Sequence, residues 1–260
     1  MELMTHQKQE ISGPEHHKTA LGELMLVRGP FGESTEIEVL RNDESLTNTS
    51  IYEIENTVTL NQSVSIQEIE EGIFYVPLHG DINIIRLAYY VDLLQSAKGV
   101  IFDSRYEDEG MAYLFMQHLF AEPIPSVDIR SPQNILPDQE GVDYKDLGWM
   151  IEPKEPTIQG EIVFLASNWG DPILRQIKDY QLGTIIGEQT AGQIGYQNRF
   201  LLFDGIYISF TAIKTKGLDG DQHHVHGVIP DILLEPTFEA IQQGRDLWIE
   251  EGVQFIKDNQ

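Results

Sequence analysis

The sequence has 260 residues, no cysteine, 17 Lys and Arg against 42 Asp and Glu, and a formal net charge of −25. With 41% hydrophobic residues arranged in distinct runs, the composition excludes an intrinsically disordered chain and predicts one folded domain with an appendage. The negative field excludes nonspecific binding to nucleic acid or to an anionic membrane surface, so partners are expected to be neutral or basic.

Two kinds of segment are not found in the sequence. No apolar run approaches the roughly 20 residues that a membrane span needs, and the polar start lacks the hydrophobic core of a signal peptide. The absence of cysteine excludes disulfides, thiol catalysis and cysteine-based zinc sites. None of these observations selects a cellular compartment.

The N-terminal part of the chain predicts a small β unit. Residues 1–20 show no periodicity and are expected to form a flexible terminus. Leu24–Val27 and the alternating Thr35–Leu40 flank the turn residues Gly29–Gly32, which predicts a hairpin. The polar residues 42–50 are typical of a boundary.

This boundary gives a β unit over residues 21–50 and a larger core over residues 51–260. In the core, short apolar runs alternate with helical periods, which predicts an α/β fold with parallel strands. The predicted strands are 73–78, 99–102, 161–166 and 183–187, the helices 84–94, 111–120, 171–180 and 238–256, with a Pro-rich connection over 123–156 and a hairpin of 199–203 and 206–211.

Polar residues follow each of the four predicted parallel strands. Because ligands bind beyond the carboxyl ends of parallel strands, these loops are expected to converge on one site. They are His79-Gly80, Asp103–Arg105, Ser167–Gly170 and Gly187–Gly192.

Four motifs in order carry a family resemblance. They are Asp-x-Arg at Asp103–Arg105, Gly-Glu-x-Thr-x-Gly at Gly187–Gly192, the segment Asp219–Asp231 that ends in Gly-Val-x-Pro-Asp, and Gly244-Arg245-Asp246. With them, roughly residues 70–256 resemble the serine peptidase family of tail-specific (C-terminal processing) proteases, tricorn core proteases and interphotoreceptor retinoid-binding repeats.

The resemblance implies a ClpP/crotonase-like β-α-β core and a serine-type peptidase ancestry. Residues 26–39 also resemble the last part of a peptide-binding PDZ domain, which implies a PDZ-like remnant before the core. Members of this family are often exported.

The resemblance places the nucleophile after the third strand, three residues before a Glu that opens the next helix. With Asp171 in the Glu position, the nucleophile position holds Asn168, and the general-base position of the Ser-Lys branch, 25 residues later, holds Gln193. The amide of Asn168 cannot act as the nucleophile, and the amide of Gln193 cannot act as the general base. Ser167 is the alternative nucleophile, with His79 as the histidine to test.

The resemblance also places oxyanion-stabilising N–H groups in the turn after Asp-x-Arg. Here that turn contains Glu107, Asp108 and Gly110, and its carboxylates oppose a developing negative charge. The three catalytic features together indicate a degenerate peptidase.

No metal or other cofactor is expected. His223, His224 and His226 fit a variant of the family's segment better than a metal site, and the acidic run 107–109 is too short for a calcium loop. The glycines of 187–195 match no nucleotide-binding fingerprint.

The sequence therefore predicts a homologue of the tail-specific peptidases with weak or lost proteolytic activity that binds a polypeptide or a peptide C-terminus. Two alternatives stay open at this point. One is an active serine endopeptidase that uses Ser167 and His79 on unstructured C-terminal peptides. The other is a binder of a small apolar ligand, as in the retinoid-binding relatives.

Overall fold

The computed structural model describes residues 34–41, 44–51, 65–79, 84–105, 109–134, 141–168, 173–195, 197–203 and 206–260. The chain divides into two compact units, residues 1–62 and residues 63–260.

The described part of the first unit is an antiparallel pair of strands, β1 (Ser34–Arg41) and β2 (Glu44–Ile51). Strand β1 confirms the predicted strand at 35–40, whereas its predicted partner at 24–27 lies outside the described residues. Most of the polar segment 42–50 lies in β2, since its Thr residues favour extended backbone despite their polar neighbours. The PDZ-like assignment and the division at residue 50 stay predictions.

The second unit alternates strands and helices. Its described elements in chain order are β3 (Gln67–Glu70), β4 (Ile73–Pro77), a 3-10 turn (Ile84–Arg86), α1 (Leu87–Leu94), β5 (Gly99–Asp103), α2 (Glu109–Met116), β6 (Ile124–Pro125), β7 (Asp128–Asn134), β8 (Val142–Asp146), β9 (Met150–Ile151), β10 (Glu161–Ala166), α3 (Leu174–Tyr180), β11 (Thr184–Gly187), β12 (Gln197–Phe203), β13 (Ile206–Thr211), β14 (Lys214–Lys216), β15 (Ile232–Leu233), α4 (Phe238–Gln242) and α5 (Leu247–Asp258).

A six-stranded sheet with the order β15-β11-β10-β5-β4-β3 forms the centre of this unit. Every neighbouring pair in it is parallel except β3 with β4, which is an antiparallel hairpin at the edge. The α/β class with parallel strands is therefore confirmed, and the four strands predicted from apolar runs are β4, β5, β10 and β11.

Both faces of the central strands are covered, which explains their continuous apolar runs. On one face Phe102 stacks on Phe164 with ring centroids 5.1 Å apart and packs on Phe115 of α2. On the other face Ile101 and Ile256 belong to a second hydrophobic cluster, through which α5 packs on the sheet. Among the described residues, no helix combines the length and apolar character that crossing a membrane requires.

Two regions differ from the predicted elements. The Pro-rich connection at 123–156 contains four strands, of which β7 pairs with β8 and β14, and β6 pairs with β9. The predicted C-terminal helix at 238–256 is two helices, because Gly244 adopts a left-handed φ of +67° and Asp246 then caps the N-terminus of α5. Strands β6 and β9 have two residues each, and β7 and β8 are mostly polar, so none of the four forms an apolar run.

A side chain at Gly99 is expected to destabilise the packing of α5 on the sheet. A Cβ at this position would lie 2.5 Å from Ile256 Cγ2, so Gly99→Ala forces the helix outward. We expect a loss of about 1–3 kcal/mol in the free energy of unfolding, measured by urea denaturation. Gly141→Ala is the control, since no heavy atom lies within 4 Å of its added Cβ. Equal losses in the two variants would contradict this account.

Candidate functional site

The loops after β4, β5, β10 and β11 meet at the carboxyl edge of the sheet. The register aligns Pro77 with Asp103 and Ala166 with Gly187. Backbone hydrogen bonds continue the pairing past the strand ends, since Leu78 N donates to Asp103 O at 3.0 Å and Glu188 N donates to Ala166 O at 3.0 Å. The loops that the sequence singled out are thus neighbours in space.

Asp103 and Arg105 form a buried ion pair at this edge. Arg105 Nε donates to Asp103 Oδ1 at 2.9 Å and Nη2 donates to Oδ2 at 2.7 Å, a bidentate contact. The Arg105 backbone N–H also donates to Oδ1, at 3.1 Å, and the Tyr75 hydroxyl donates to Oδ2, at 2.6 Å. The Asp-x-Arg motif therefore joins β5 to its neighbour β4.

The same guanidinium reaches the start of the last helix. Arg105 Nη1 donates to Asp246 Oδ1 at 3.0 Å, and Asp246 caps α5 by accepting from the backbone N–H groups of Trp248 and Ile249. Arg105 Cζ lies 5.0 Å from the centroid of the Trp248 ring. Two separate motifs, Asp-x-Arg and Gly-Arg-Asp, thus form one cluster.

The pKa values in this cluster follow from burial and charge. Burial by itself raises the pKa of Asp103, but the hydrogen bonds and positive charge of Arg105 outweigh it, so the pKa lies below the usual aspartate value. Burial and the Asp103 carboxylate both raise the pKa of Tyr75. Although burial lowers the pKa of Arg105, its two carboxylate partners raise it overall. Asp103 and Arg105 are therefore both charged at neutral pH, whereas the Tyr75 hydroxyl keeps its proton.

The two serine hydroxyls at this edge donate to backbone carbonyls. Ser104 Oγ donates to Leu165 O at 2.7 Å, and Ser167 Oγ donates to Arg105 O at 2.6 Å. These bonds extend the β5–β10 pairing beyond the last ladder pair, Leu165 with Asp103. Ser167, the predicted alternative nucleophile, is half-buried and lies on the β5 side of its strand.

Asn168, which follows β10, connects this strand to the loop after β11, on the side away from β5. Its side chain is buried, and Nδ2 donates to Gln189 O at 3.3 Å, while its carbonyl accepts from Ala191 N at 3.1 Å. The Asn168 backbone N–H donates to Glu188 Oε2 at 3.3 Å. The residue at the nucleophile position implied by the resemblance is thus bonded to the Gly-Glu-x-Thr-x-Gly loop.

That loop is fixed to the Gly-Val-x-Pro-Asp segment. The Thr190 hydroxyl is buried and accepts from Val228 N at 2.8 Å, and Thr190 N donates to Val228 O at 3.1 Å. The two backbones approach closely, since a Cβ at Gly227 would lie 2.1 Å from Thr190 O. Asp231 completes the segment by accepting from Ile185 N at 2.9 Å.

The structure also places the other residues that the sequence singled out. His79 follows β4 and is half-buried, Gln193 is exposed, and Gly110 is an exposed residue of α2. His223 is buried, and its backbone N–H donates to Thr215 O at 3.1 Å. Glu107 and Asp108 lie outside the described residues. Within the described ranges, no group of three His, Asp or Glu side chains is arranged to hold a metal ion.

The sequence reading missed a second charged cluster beside α3. Arg175 Nη2 lies 2.9 Å from Asp179 Oδ1 and 2.7 Å from Asp219 Oδ1. A backbone hydrogen bond from Asp221 and the charge of Arg175 lower the pKa of Asp219. The i,i+4 spacing of Arg175 and Asp179 was a signal for half of this cluster, whereas the contact with Asp219 needs the fold.

These charges line a cavity of about 490 Å³ that adjoins the Asn168 loop. Gln189, whose carbonyl accepts from Asn168, is in its wall, and Gln189 Nε2 donates to His226 O at 2.8 Å. The other lining residues are Arg175, Lys178, Asp179, Asp219, Asp221, Gln222, Gly227, Val228 and Ile229.

Asp103→Asn is expected to destabilise the protein strongly, because it leaves the Arg105 guanidinium buried without its bidentate partner. Removing one member of a buried ion pair costs about 3–5 kcal/mol. Since the folded pKa of Asp103 lies below its unfolded value of about 3.9, its contribution is complete above that pH and is lost as the pH falls through the folded value. The variant should therefore show a smaller loss of stability below pH 4, measured by urea denaturation across pH.

Asp128→Asn is the matched control, since Asp128 and Arg130 form an i,i+2 pair with the same spacing at the surface. We expect little change in this variant because solvent screens the exposed pair. A similar loss from both substitutions would show that burial does not determine the strength of the Asp103 pair.

Several solved structures share the fold described above. The chain resembles mature CPAF complexed with lactacystin, with a TM-score of 0.53 and 14% identity over 86% of this chain and 54% of that one. It also resembles a peptidase-like protein from Parabacteroides merdae ATCC 43184, with a TM-score of 0.59 and 17% identity over 74% of this chain and 63% of that one. At these identities the likeness shows the fold, and this chain spans less than two thirds of either protein.

A third similar structure is the photosystem II D1 C-terminal processing protease, with a TM-score of 0.48 and 16% identity over 84% of this chain and 60% of that one. No curated protein sequence matches this chain. Residues 159–234 match the model of peptidase family S41. These residues contain β10, Ser167, Asn168, the Gly-Glu-x-Thr-x-Gly loop and the Gly-Val-x-Pro-Asp segment. This match over residues 159–234, together with the shared fold, confirms the resemblance to the S41 peptidases.

Proposed function

We propose that this chain is an S41 homologue that binds polypeptides and has weak or lost proteolytic activity. The observation that carries the proposal is the hydrogen bond of 2.6 Å from Ser167 Oγ to Arg105 O. A serine hydroxyl has a single proton, and a nucleophile must pass that proton to a base. A backbone carbonyl oxygen has no such basicity, so this bond supports a structural role for Ser167.

Asn168 supports the same conclusion. The resemblance puts the nucleophile here, and an amide cannot form the covalent acyl intermediate that a serine forms. Its buried side chain donates to Gln189 O and its backbone to Glu188, so the residue holds two loops together. These hydrogen bonds support a structural role for Asn168 at the position where the resemblance puts a reactive serine.

Gln193 weakens the case for catalysis further. It lies where the resemblance puts the lysine base, and its side chain is an exposed amide without useful basicity. The alternative of an active hydrolase therefore requires Ser167 to leave the Arg105 carbonyl and use His79. The Ser167 hydrogen bond favours the binding function over this alternative.

The cavity beside Asn168 supports a peptide as the ligand. Its wall contains three aspartates against Arg175 and Lys178, and both basic residues are engaged by aspartates. A charged lining of this kind disfavours the alternative of a small apolar ligand. With a chain charge of −25, neutral or basic peptide segments are favoured over acidic ones.

The first test concerns covalent chemistry. The wild-type protein should not be labelled by a fluorophosphonate probe and should not cleave an unstructured peptide faster than the Ser167→Ala variant does. Mass spectrometry of the probe-treated protein and of the peptide gives both results. Labelling at Ser167, or cleavage that disappears in Ser167→Ala, would contradict the proposal.

The second test concerns binding. The affinity for a Lys-rich unstructured peptide should exceed that for the same peptide with Glu in place of Lys, measured by fluorescence anisotropy. Asp221→Lys adds positive charge at the cavity wall and should weaken binding of the basic peptide by up to about fivefold. Asp258→Lys, the same change at the exposed end of α5, should leave the Kd unchanged. Equal affinity for both peptides, or equal effects of both variants, would rule out this cavity.

A further inference from the structure

The hairpin of β12 and β13 exposes an unusual amount of apolar surface. Within the described part of the chain, each of these strands pairs only with the other. The large hydrophobic side chains of the hairpin are between 40% and 64% exposed, and they are Phe200, Leu201, Leu202, Phe203, Ile206, Tyr207, Ile208 and Phe210. This hairpin is therefore not part of the described cores.

The strand register sorts these side chains onto two faces. Cross-strand partners share a face, and the observed pairs are Phe200 with Ile208, Asn198 with Phe210, and Phe203 with Ile206. A shift in register between Leu201 and Phe203 brings Phe203 onto the same face as these residues. We call this surface the apolar face; it consists of Phe200, Phe203, Ile206, Ile208 and Phe210, and Asn198 lies on the same side at its end, opposite Phe210.

The opposite face is mixed. It carries Arg199, Leu201, Tyr207 and Ser209, and Arg199 Cζ lies 4.1 Å from the centroid of the Tyr207 ring. Arg199 thus shields one aromatic ring of this face from water. On the apolar face, by contrast, the Phe200 and Phe210 rings contact each other edge to face, with centroids 5.9 Å apart, and both remain nearly half exposed.

An isolated two-stranded hairpin is only marginally stable in water, and one with a fully apolar face needs a second layer. Large exposed apolar patches on folded proteins mark interaction sites. The apolar face therefore requires a partner surface that is itself apolar.

Charge indicates a second copy of this chain as that partner. The protein carries 42 acidic residues in 260, yet the 13 residues of β12 and β13 contain none, and Arg199 is their one charged residue. Two copies with a net charge of −25 each repel one another. A surface without carboxylates is where they meet at the lowest electrostatic cost.

The exposed area of the apolar face is also sufficient for a dimer interface. At roughly 200 Å² for a large side chain, the exposed fractions of the apolar face leave on the order of 500 Å² of apolar surface in water. Two such faces together provide about 1,000 Å², the minimum for a specific interface. Identical faces related by a two-fold axis bury each other completely without leaving a surface for further copies.

We propose that the chain forms a homodimer in which the apolar faces of two β12–β13 hairpins pack against each other. Sedimentation equilibrium of the full chain should show a concentration-dependent dimer. The double variant Phe200→Asp/Ile208→Asp replaces a cross-strand pair of the apolar face and should raise the dimer Kd by more than about tenfold. Ile241→Asp should not change it, although Ile241 of α4 is an even more exposed apolar residue, at 63% against 47% for Phe200 and 40% for Ile208. Circular dichroism establishes that each variant is folded.

A monomer at all concentrations, or a dimer that withstands the double variant, would overturn the proposal. If a monomeric wild type loses peptide binding in the double variant, the apolar face belongs to a peptide partner and the homodimer is again overturned.

A second measurement does not depend on disruptive substitutions. Because the chain has no cysteine, a single introduced thiol reports on one position. Asn198→Cys lies on the apolar face and Ser209→Cys on the opposite one, so a bifunctional maleimide should cross-link two copies of the first variant and not of the second. Equal cross-linking of both, or cross-linking of Ser209→Cys alone, would contradict the proposed face.

Discussion

The bidentate pair between Asp103 and Arg105 is the interaction on which the carboxyl edge of the sheet depends. Arg105 bonds Asp103 at the end of β5 and Asp246 at the start of α5, while Tyr75 of β4 bonds the same aspartate. The buried charges are tolerated because each is matched by several hydrogen bonds. This one guanidinium thus sets the position of the β5 loop relative to the last helix, and the Arg105 carbonyl in turn receives the Ser167 hydroxyl.

The polar groups at the carboxyl edge of the sheet hold neighbouring strands and loops together. Ser104 and Ser167 extend the contact between β5 and β10, Asn168 extends the contact between β10 and β11, and Thr190 fixes the following loop to Val228. Each bond satisfies a polar group that the converging strands bury. A peptidase needs some of these groups held free for chemistry, so the arrangement supports a scaffold that binds without cleaving.

The acidic surface and the apolar hairpin are complementary features of one chain. A net charge of −25 keeps copies apart over most of the surface and favours neutral or basic ligands. Strands β12 and β13 are the exception, since they contain no carboxylate and expose an apolar face to water. The proposed homodimer would use that face, and the cavity beside Asn168 would remain the proposed site for a peptide.

The sequence by itself determined the parallel strands and the motifs at their ends. The strands were recognisable because burial on both faces gives each of them a continuous apolar run. The sequence reading missed β6 to β9, since β6 and β9 have two residues each and β7 and β8 are mostly polar. It also read α4 and α5 as one helix, although Gly244 and the capping residue Asp246 separate them. Only the tertiary structure decided that Arg105 meets Asp246, 141 residues away, and that the Ser167 proton points to a carbonyl. Hydrogen-bond direction and burial arise between distant segments, so residue type and spacing cannot encode them locally.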